Sequence, residues 1–361
     1  MIQFADHGAE PVVQAAASYP LPPALADADA RRAATEQAVA DALRRHPFQG
    51  REVVTALGFG EFQMKNIRLP RMPPEERAGA IEFEARERFA LGEQAAQIRH
   101  LLAGEVRHGN ELKEEILVFA APDALIYARL AMLEQLRLRP VAMDLAPFAV
   151  ARCFFRFMRR TADAQAVNIF LDVGRRGTAI VLTHGTEVSF LKLVDIGGEH
   201  LDEAVGKALS ISREKANDLR VCVMREKIGR RAADRAGLPE DIRSAVTDAT
   251  RPVVERIARD VQLFLRYFAV TFRGQRPQSL TLVGGEAHEP LLLPVLAESS
   301  DVPCTIGDPL RGIGGGAEVV AADCRPYQSA WAVAGGLALR GSRWLRHAEA
   351  SAMPRMATAS E

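Results

Sequence analysis

Asp172, Gly174, Gly177 and Thr178 stand in one short stretch, Leu171-Asp172-Val173-Gly174-Arg175-Arg176-Gly177-Thr178, and two adjacent glycines, Gly284 and Gly285, close an apolar run far downstream. Residues of these types can hold a phosphate. Glycine takes positive φ readily and leaves its N–H uncovered by a Cβ, so a phosphate oxygen can approach the backbone closely. A strand-end aspartate suits Mg²⁺, which keeps several waters and takes one or two carboxylates together with the phosphates. The stretch reads as half a phosphate clamp, in which Asp172 can hold the metal through water. On spacing alone a plain hairpin turn fits it better, since Asp and Gly are common turn residues. The surrounding elements have to separate the two readings.

Those elements alternate sharply. Ala166 to Leu171, Thr178 to Leu182 and Glu187 to Val194 have the β-branched and aromatic content of three successive strands, ending at Asp195-Ile196-Gly197-Gly198. Helices are expected from His200 to Leu209, from an N-cap at Ser212 through Leu219, and from Pro252 to Phe272. The last carries Val254, Ile257, Val261, Phe264, Leu265 and Phe268 in steps of three and four, a core-facing stripe. Ser279 to Val283 is a buried strand running into Gly284-Gly285. Upstream, residues 1 to 20 read as a hairpin turning at Asp6-His7-Gly8, followed by a helix from Arg31 to Arg45 and strands over Glu52 to Leu57 and Gln63 to Leu69. Pro74 opens a charged helix to Ala90 with Ile81, Phe83 and Phe89 as buried positions. Strands over Ile98 to Ala103 and Glu115 to Ala121 flank a turn at His108-Gly109-Asn110, and Asp123 to Leu136 is a further helix.

Composition narrows the function classes. The chain has 361 residues, 48% apolar and 25% charged, enough for a large core and two or more domains. Its formal net charge is zero, which excludes a broad basic field for nucleic acid or anionic lipid. Cys153, Cys222, Cys304 and Cys324 lie far apart with no CxxC pair, against a zinc site or a disulfide framework. No run approaches the roughly 18 apolar residues of a membrane span, and Met1-Ile2-Gln3-Phe4 opens no secretory leader. A cytoplasmic protein with reduced thiols is expected.

The order of these pieces resembles the PilM family of type IV pilus assembly proteins, FtsA-related members of the actin-like ATPase superfamily. The fragments that carry it are Asn66-Ile67-Arg68-Leu69-Pro70, Ala80-Ile81-Glu82-Phe83-Glu84-Ala85 and Met143-Asp144-Leu145-Ala146-Pro147-Phe148-Ala149. Leu171 to Thr178, Ile196-Gly197-Gly198, Ile211-Ser212-Arg213-Glu214-Lys215-Ala216, Val283-Gly284-Gly285 and Ala332-Val333-Ala334-Gly335-Gly336-Leu337 complete the set, which covers about residues 1 to 340. The resemblance implies an α/β, two-domain actin-like (ribonuclease H-like) ATPase fold with an FtsA-like inserted subdomain. Its parts would be a first domain over 1–70 and 140–160, an interaction insert over 71–139, a second domain over 161–198 and 276–342, a helical subdomain over 199–275 and a disordered tail over 343–361.

It also implies a site for ATP and Mg²⁺. Asp172, Gly174, Gly177 and Thr178 would form the second phosphate loop, with Gly197 and Gly198 beside it. Glu214 and Lys215 would face the adenosine, and Gly284 and Gly285 would let purine and ribose lie on bare backbone. One departure stands against this. The family begins with a strand and a GxDxG turn followed by Ser or Thr, whereas Met1-Ile2-Gln3-Phe4 matches the second strand of that hairpin in character. The expectation is a first domain without its first strand and a clamp with one jaw, either through a start placed too late or in a degenerate, non-hydrolysing member.

Functionally the resemblance implies a cytoplasmic scaffold at the inner membrane, peripheral to it through a protein partner. That partner would be a PilN-like single-pass protein, its N-terminal peptide held by the first domain and insert, with other pilus components and a second copy as further partners. Hydrolysis would be weak at most, and no general base is identified. Two alternatives stay open: a degenerate scaffold of a type II secretion or cell-division complex, and a small-molecule kinase. Asp144 is the kinase's candidate base, in a strand-to-helix corner where Asp often acts as an N-cap.

Overall fold

The computed structural model describes residues 1–7, 10–21, 28–108, 111–227, 237–271, 276–315 and 328–340. The expected tail over 343–361, Cys324 and residues 8 and 109–110 of two expected turns lie outside them. The first half opens with β1 (Ile2–His7) and β2 (Glu10–Ala16), an antiparallel pair, then α1 (Ala28–Arg45) and β3 (Glu52–Leu57). Between β3 and its parallel partner β7 (Arg139–Leu145) the chain inserts β4 (Gln63–Pro70), α2 (Pro74–Arg88), β5 (Ala96–His108), β6 (Glu111–Pro122) and α3 (Asp123–Gln135). β6 lies between β4 and β5 in an antiparallel sheet. Alternation along β6 divides its side chains between two faces. Ile116 and Val118 bury under α2 with Ile81, Ala85 and Phe89, while Leu117 and Phe119 join the main core. Phe83, expected in that layer, is 65% exposed, because Ile81 and Ala85 take the buried side of α2.

α4 (Ala146–Phe155) leads into the second half. Asp144 does not cap α4: it lies in β7, buried, its carboxylate paired with Arg152 at 2.6 Å and Arg340 at 2.9 Å. The meander folds as β8 (Val167–Val173), β9 (Thr178–His184) and β10 (Glu187–Val194), and the helices as α5 (Gly198–Leu209), α6 (Arg213–Lys227) and α7 (Glu240–Thr271). β11 (Ser279–Val283), α8 (Leu292–Ser299), β12 (Cys304–Ile306) and α9 (Ala332–Arg340) follow. The sheet order is β10-β9-β8-β11-β12, with β8 antiparallel to β9 and parallel to β11. The first half repeats the outer pieces of this order, a hairpin and a parallel pair, and the central position that β8 holds has no counterpart among the described residues. α7 continues through Pro252, which was expected to open it. The halves meet where α9 crosses α4 so closely that a Cβ on Gly336 would fall 1.7 Å from the carbonyl oxygen of Ala149.

Candidate functional site

The end of β8 and the glycines after β11 form one knot of backbone. Gly284 sits at φ +97° with no room for a side chain: a Cβ there would lie 2.4 Å from Val173 O and 2.5 Å from Asp172 Oδ1. Only glycine tolerates both constraints. The next residues pin the knot, since Glu286 N–H donates to Val173 O at 3.1 Å and Gly284 N–H to Ser329 O at 3.1 Å. Gly285 faces open space, with nothing within 4 Å of its would-be Cβ.

The turn after β8 is held from the other side by the start of α5. Gly198 N–H donates to Gly174 O at 3.0 Å and Glu199 N–H to Arg175 O at 2.8 Å, while Gly174 N–H closes the turn on Gly177 O. Thr178 is fully buried, its hydroxyl donating to Ile196 O at 2.7 Å. Gly197 and Gly198 owe their identity to packing. A Cβ on Gly197 would strike Gly174 O at 2.5 Å, and one on Gly198 would strike the Glu286 carboxylate at 2.1 Å. Thus Asp172, Gly174, Gly177, Thr178, Gly197, Gly198 and Gly284 converge. Glu214 and Lys215 do not join them: both are exposed on the first turn of α6, where Ser212 Oγ accepts from Lys215 N–H at 3.3 Å.

Electrostatics separate the carboxylates. Burial pushes the Asp172 carboxyl up from 3.8 to about 6. Among the described residues no cation offsets this, and a divalent metal would stabilise such a half-buried carboxylate. Arg175, on the turn, pairs with Asp202 at 3.0 Å and bonds Asn217 at 3.2 Å, yet its Nη2 is buried with no hydrogen-bond partner among the described residues. Behind the knot, Arg220 is fully buried among Asp202 (2.6 Å), Glu286 (2.5 Å) and Glu289 (2.9 Å), and Thr250 donates to Glu289 at 3.0 Å. Burial pushes Asp202 up, and Arg220 pulls it back. From the first half, Phe59 follows β3 and lays its ring over Gly177, so closely that a Cβ there would sit 2.3 Å from it.

Sequence reasoning missed Phe59, Arg175, Arg220, Glu286 and Glu289. Arg175 lay inside the motif and Glu286 directly after the glycine pair, so adjacency was a usable signal for both. Arg220 and Phe59 come from elements whose approach no local pattern reveals.

The second-half residues fit a nucleotide with its magnesium: a bare backbone shelf at Gly285, a raised carboxyl at Asp172 and an unpartnered guanidinium nitrogen on Arg175. The sheet order is that of an actin-like ATPase fold. The chain superposes with a TM-score of 0.73, at 22% identity over 94% of both chains, on a chain of the PilM-PilN type IV pilus biogenesis complex. A family model, type IV pilus assembly protein PilM, matches residues 1–342, and the protein belongs to that family. MreB5 of Spiroplasma citri bound to ADP is similar at 12% identity and a TM-score of 0.46, over 95% of this chain and 83% of that one. The ethanolamine utilization protein EutJ from Carboxydothermus hydrogenoformans gives 17%, 0.41, 61% and 62%. Against the curated proteins the sequence finds no match.

Proposed function

We propose that this protein is an adaptor of a type IV pilus assembly machine that binds the cytoplasmic N-terminal peptide of a PilN-like membrane protein on its first half and insert, under the control of a nucleotide in the second half. The observation that carries the reading is the family match over residues 1–342. The likeness to a chain of a PilM-PilN complex supports the choice of partner. No helix among the described residues is long and apolar enough to cross a membrane, which suits attachment through that partner.

In this reading the purine and ribose lie along Gly284 and Gly285, with Glu214 and Lys215 on the helical side. The phosphates lie at the turn of Gly174 and Gly177, with Arg175 Nη2 as a donor and Asp172 reaching Mg²⁺ through water. A bound metal would neutralise phosphate charge and relieve the half-buried Asp172 carboxylate. Thr178, Gly197 and Gly198 hold the turn's shape. Phe59 makes the turn sensitive to the first half, because a ligand displacing the ring shifts the loop after β3 and with it the approach to the insert.

A ligand controls an equilibrium only by its different affinity for the two states. The test is a titration of a fluorescent PilN-like N-terminal peptide into the full chain, with and without Mg-ATP. Saturable binding whose Kd moves severalfold with ATP is expected. No binding in either condition overturns the partner, and equal Kd values overturn the coupling.

A further inference from the structure

The second-half sheet is covered unevenly. A strand with parallel neighbours on both sides is ordinarily apolar on both faces, and Leu280 and Leu282 of β11 are fully buried on one of them. The alternate positions, Ser279 and Thr281, are polar and half-buried, and the register sets Ser279 beside Asn168 and Thr281 between Phe170 and Thr305. Where β8 and β11 begin, this polar face lines a cavity of about 330 Å³, walled by Phe170, by Phe154 at the end of α4 and by Phe157 just after it. The Phe154 and Phe170 rings stack at 5.2 Å. Such a volume, with aromatic walls and a few polar groups, suits a small molecule. Asp172 lies on the same face of β8 as Asn168 and Phe170 but about 13 Å from Asn168 along the strand, so the cavity and the candidate nucleotide site occupy opposite ends.

Charge narrows the ligand. Of the charged side chains that line the cavity, Asp163 accepts from Arg160 N–H at 2.8 Å and Asp308 from Leu310 N–H at 3.0 Å, so each holds its own turn. Arg311 is different: it is exposed, its guanidinium lies 4.5 Å from the centre of the Phe157 ring, and it makes no ion pair among the described residues. Arg156 lies 4.2 Å from the same ring and is tied to the carbonyl oxygens of Cys153 and Pro309. A cation drawn to the aromatic wall would therefore meet two guanidiniums already there, whereas an anion finds Arg311 open. Asn168 accepts from the Ser279 hydroxyl at 2.8 Å, and its amide nitrogen has no acceptor among the described residues.

We propose that this cavity binds a small planar aromatic carboxylate, its acid group on Arg311, its ring against Phe154 and Phe170 and a polar edge towards Asn168 and Thr281. Offset stacking on the two phenylalanines supplies the attraction, and the single guanidinium supplies the choice of charge. The proposal does not depend on a nucleotide being bound at the far end of β8.

Titration of 2-naphthoate into the full protein, followed by saturation-transfer NMR, tests this. Saturable binding with a Kd of about 1 mM or lower is expected for a probe of this size. Arg311→Ala, a change at an exposed position, should raise the Kd about tenfold or more, as loss of a charged hydrogen bond does, without moving the melting temperature. Thr305→Phe, exposed on the outer strand β12, should fill the mouth of the cavity and abolish binding. The cation 2-naphthylmethylammonium, of the same shape and opposite charge, should not compete. No saturation by about 10 mM naphthoate overturns the proposal. So does a Kd unchanged in either variant, or equal binding of the two probes.

Discussion

Burial raises the Asp172 carboxyl to about 6, above its value of 3.8 in an open chain, and this sets folding against charge. A folded-state pKa above the unfolded one gives stability that is complete below the unfolded value and is lost as pH rises through the folded value. At neutral pH the ionised Asp172 therefore costs at most about 3 kcal/mol, at about 1.4 kcal/mol per unit. Asp172→Asn should raise the unfolding free energy by up to that amount above pH 7, and the gain should shrink towards zero near pH 4. Denaturant titrations at the two pH values read this out, and an equal gain at both would show that the carboxyl is not held up by burial. The same residue illustrates what sequence can carry. Asp172, Gly174 and Thr178 were legible because a strand end, a turn and a strand start are all local. The role of Gly197 was legible only as a glycine, since the backbone it makes way for belongs to another segment.

Elements were read well where one periodicity ruled and poorly where two signals competed. β3 and β11 match their expected bounds, as apolar runs bounded by turn residues should. α7 was expected to begin at Pro252, because proline favours first turns. Instead it begins at Glu240, and the bond lost at the proline is offset by Val246, Val254 and Ile257, each buried on the same side. Phe83 went astray for a related reason: aromatic character argued for burial, but its place on α2 is opposite Ile81 and Ala85. The crossing of α4 and α9 gives a sharper test. Gly336→Ala places a methyl where Ala149 O already lies, and a backbone atom cannot swing aside. It should destabilise the protein by roughly 2 kcal/mol or more, as overpacking does. Gly79→Ala, in open space on α2, should instead stabilise by roughly 0.5–1 kcal/mol. Thermal melts of the two variants should move in opposite directions.

At the scale of the whole molecule, a buried charge ties the insert to α7 of the second half, beside the apolar contacts that Leu117 and Phe119 make with the main core. Glu115 is fully buried and accepts from Arg68 at 2.6 Å, Asn66 at 3.1 Å and Tyr267 at 3.1 Å, while Phe190 of β10 stacks on Tyr267. The pairing raises the Arg68 guanidinium, while burial first and the Glu115 charge second raise the Tyr267 hydroxyl. Such long-range ties were not legible in the sequence, since Arg68, Glu115 and Tyr267 lie on three elements from two halves. Glu115→Ala should free the insert from α7. Amide exchange in β5 and β6 is then expected to speed up while that of β8 and β9 stays slow, as local opening below the global limit requires. Uniform change in both sheets would mean that the insert and the second half unfold as one unit.

The short 3-10 turn over Gln328–Trp331 has a use of a different kind. Trp331 packs with Val13 and Ala16 of the first half, and two residues before it Ser329 clasps Gly284 of the candidate site, its carbonyl accepting from Gly284 N–H and its hydroxyl donating to Gly284 O. Its indole N–H is buried without a hydrogen-bond partner among the described residues, so small shifts of the hairpin against the site change the polarity that the ring senses. The chain holds only one other tryptophan, Trp344. With Trp344→Phe, the emission wavelength of Trp331 becomes a label-free optical gauge of how the two halves stand towards each other.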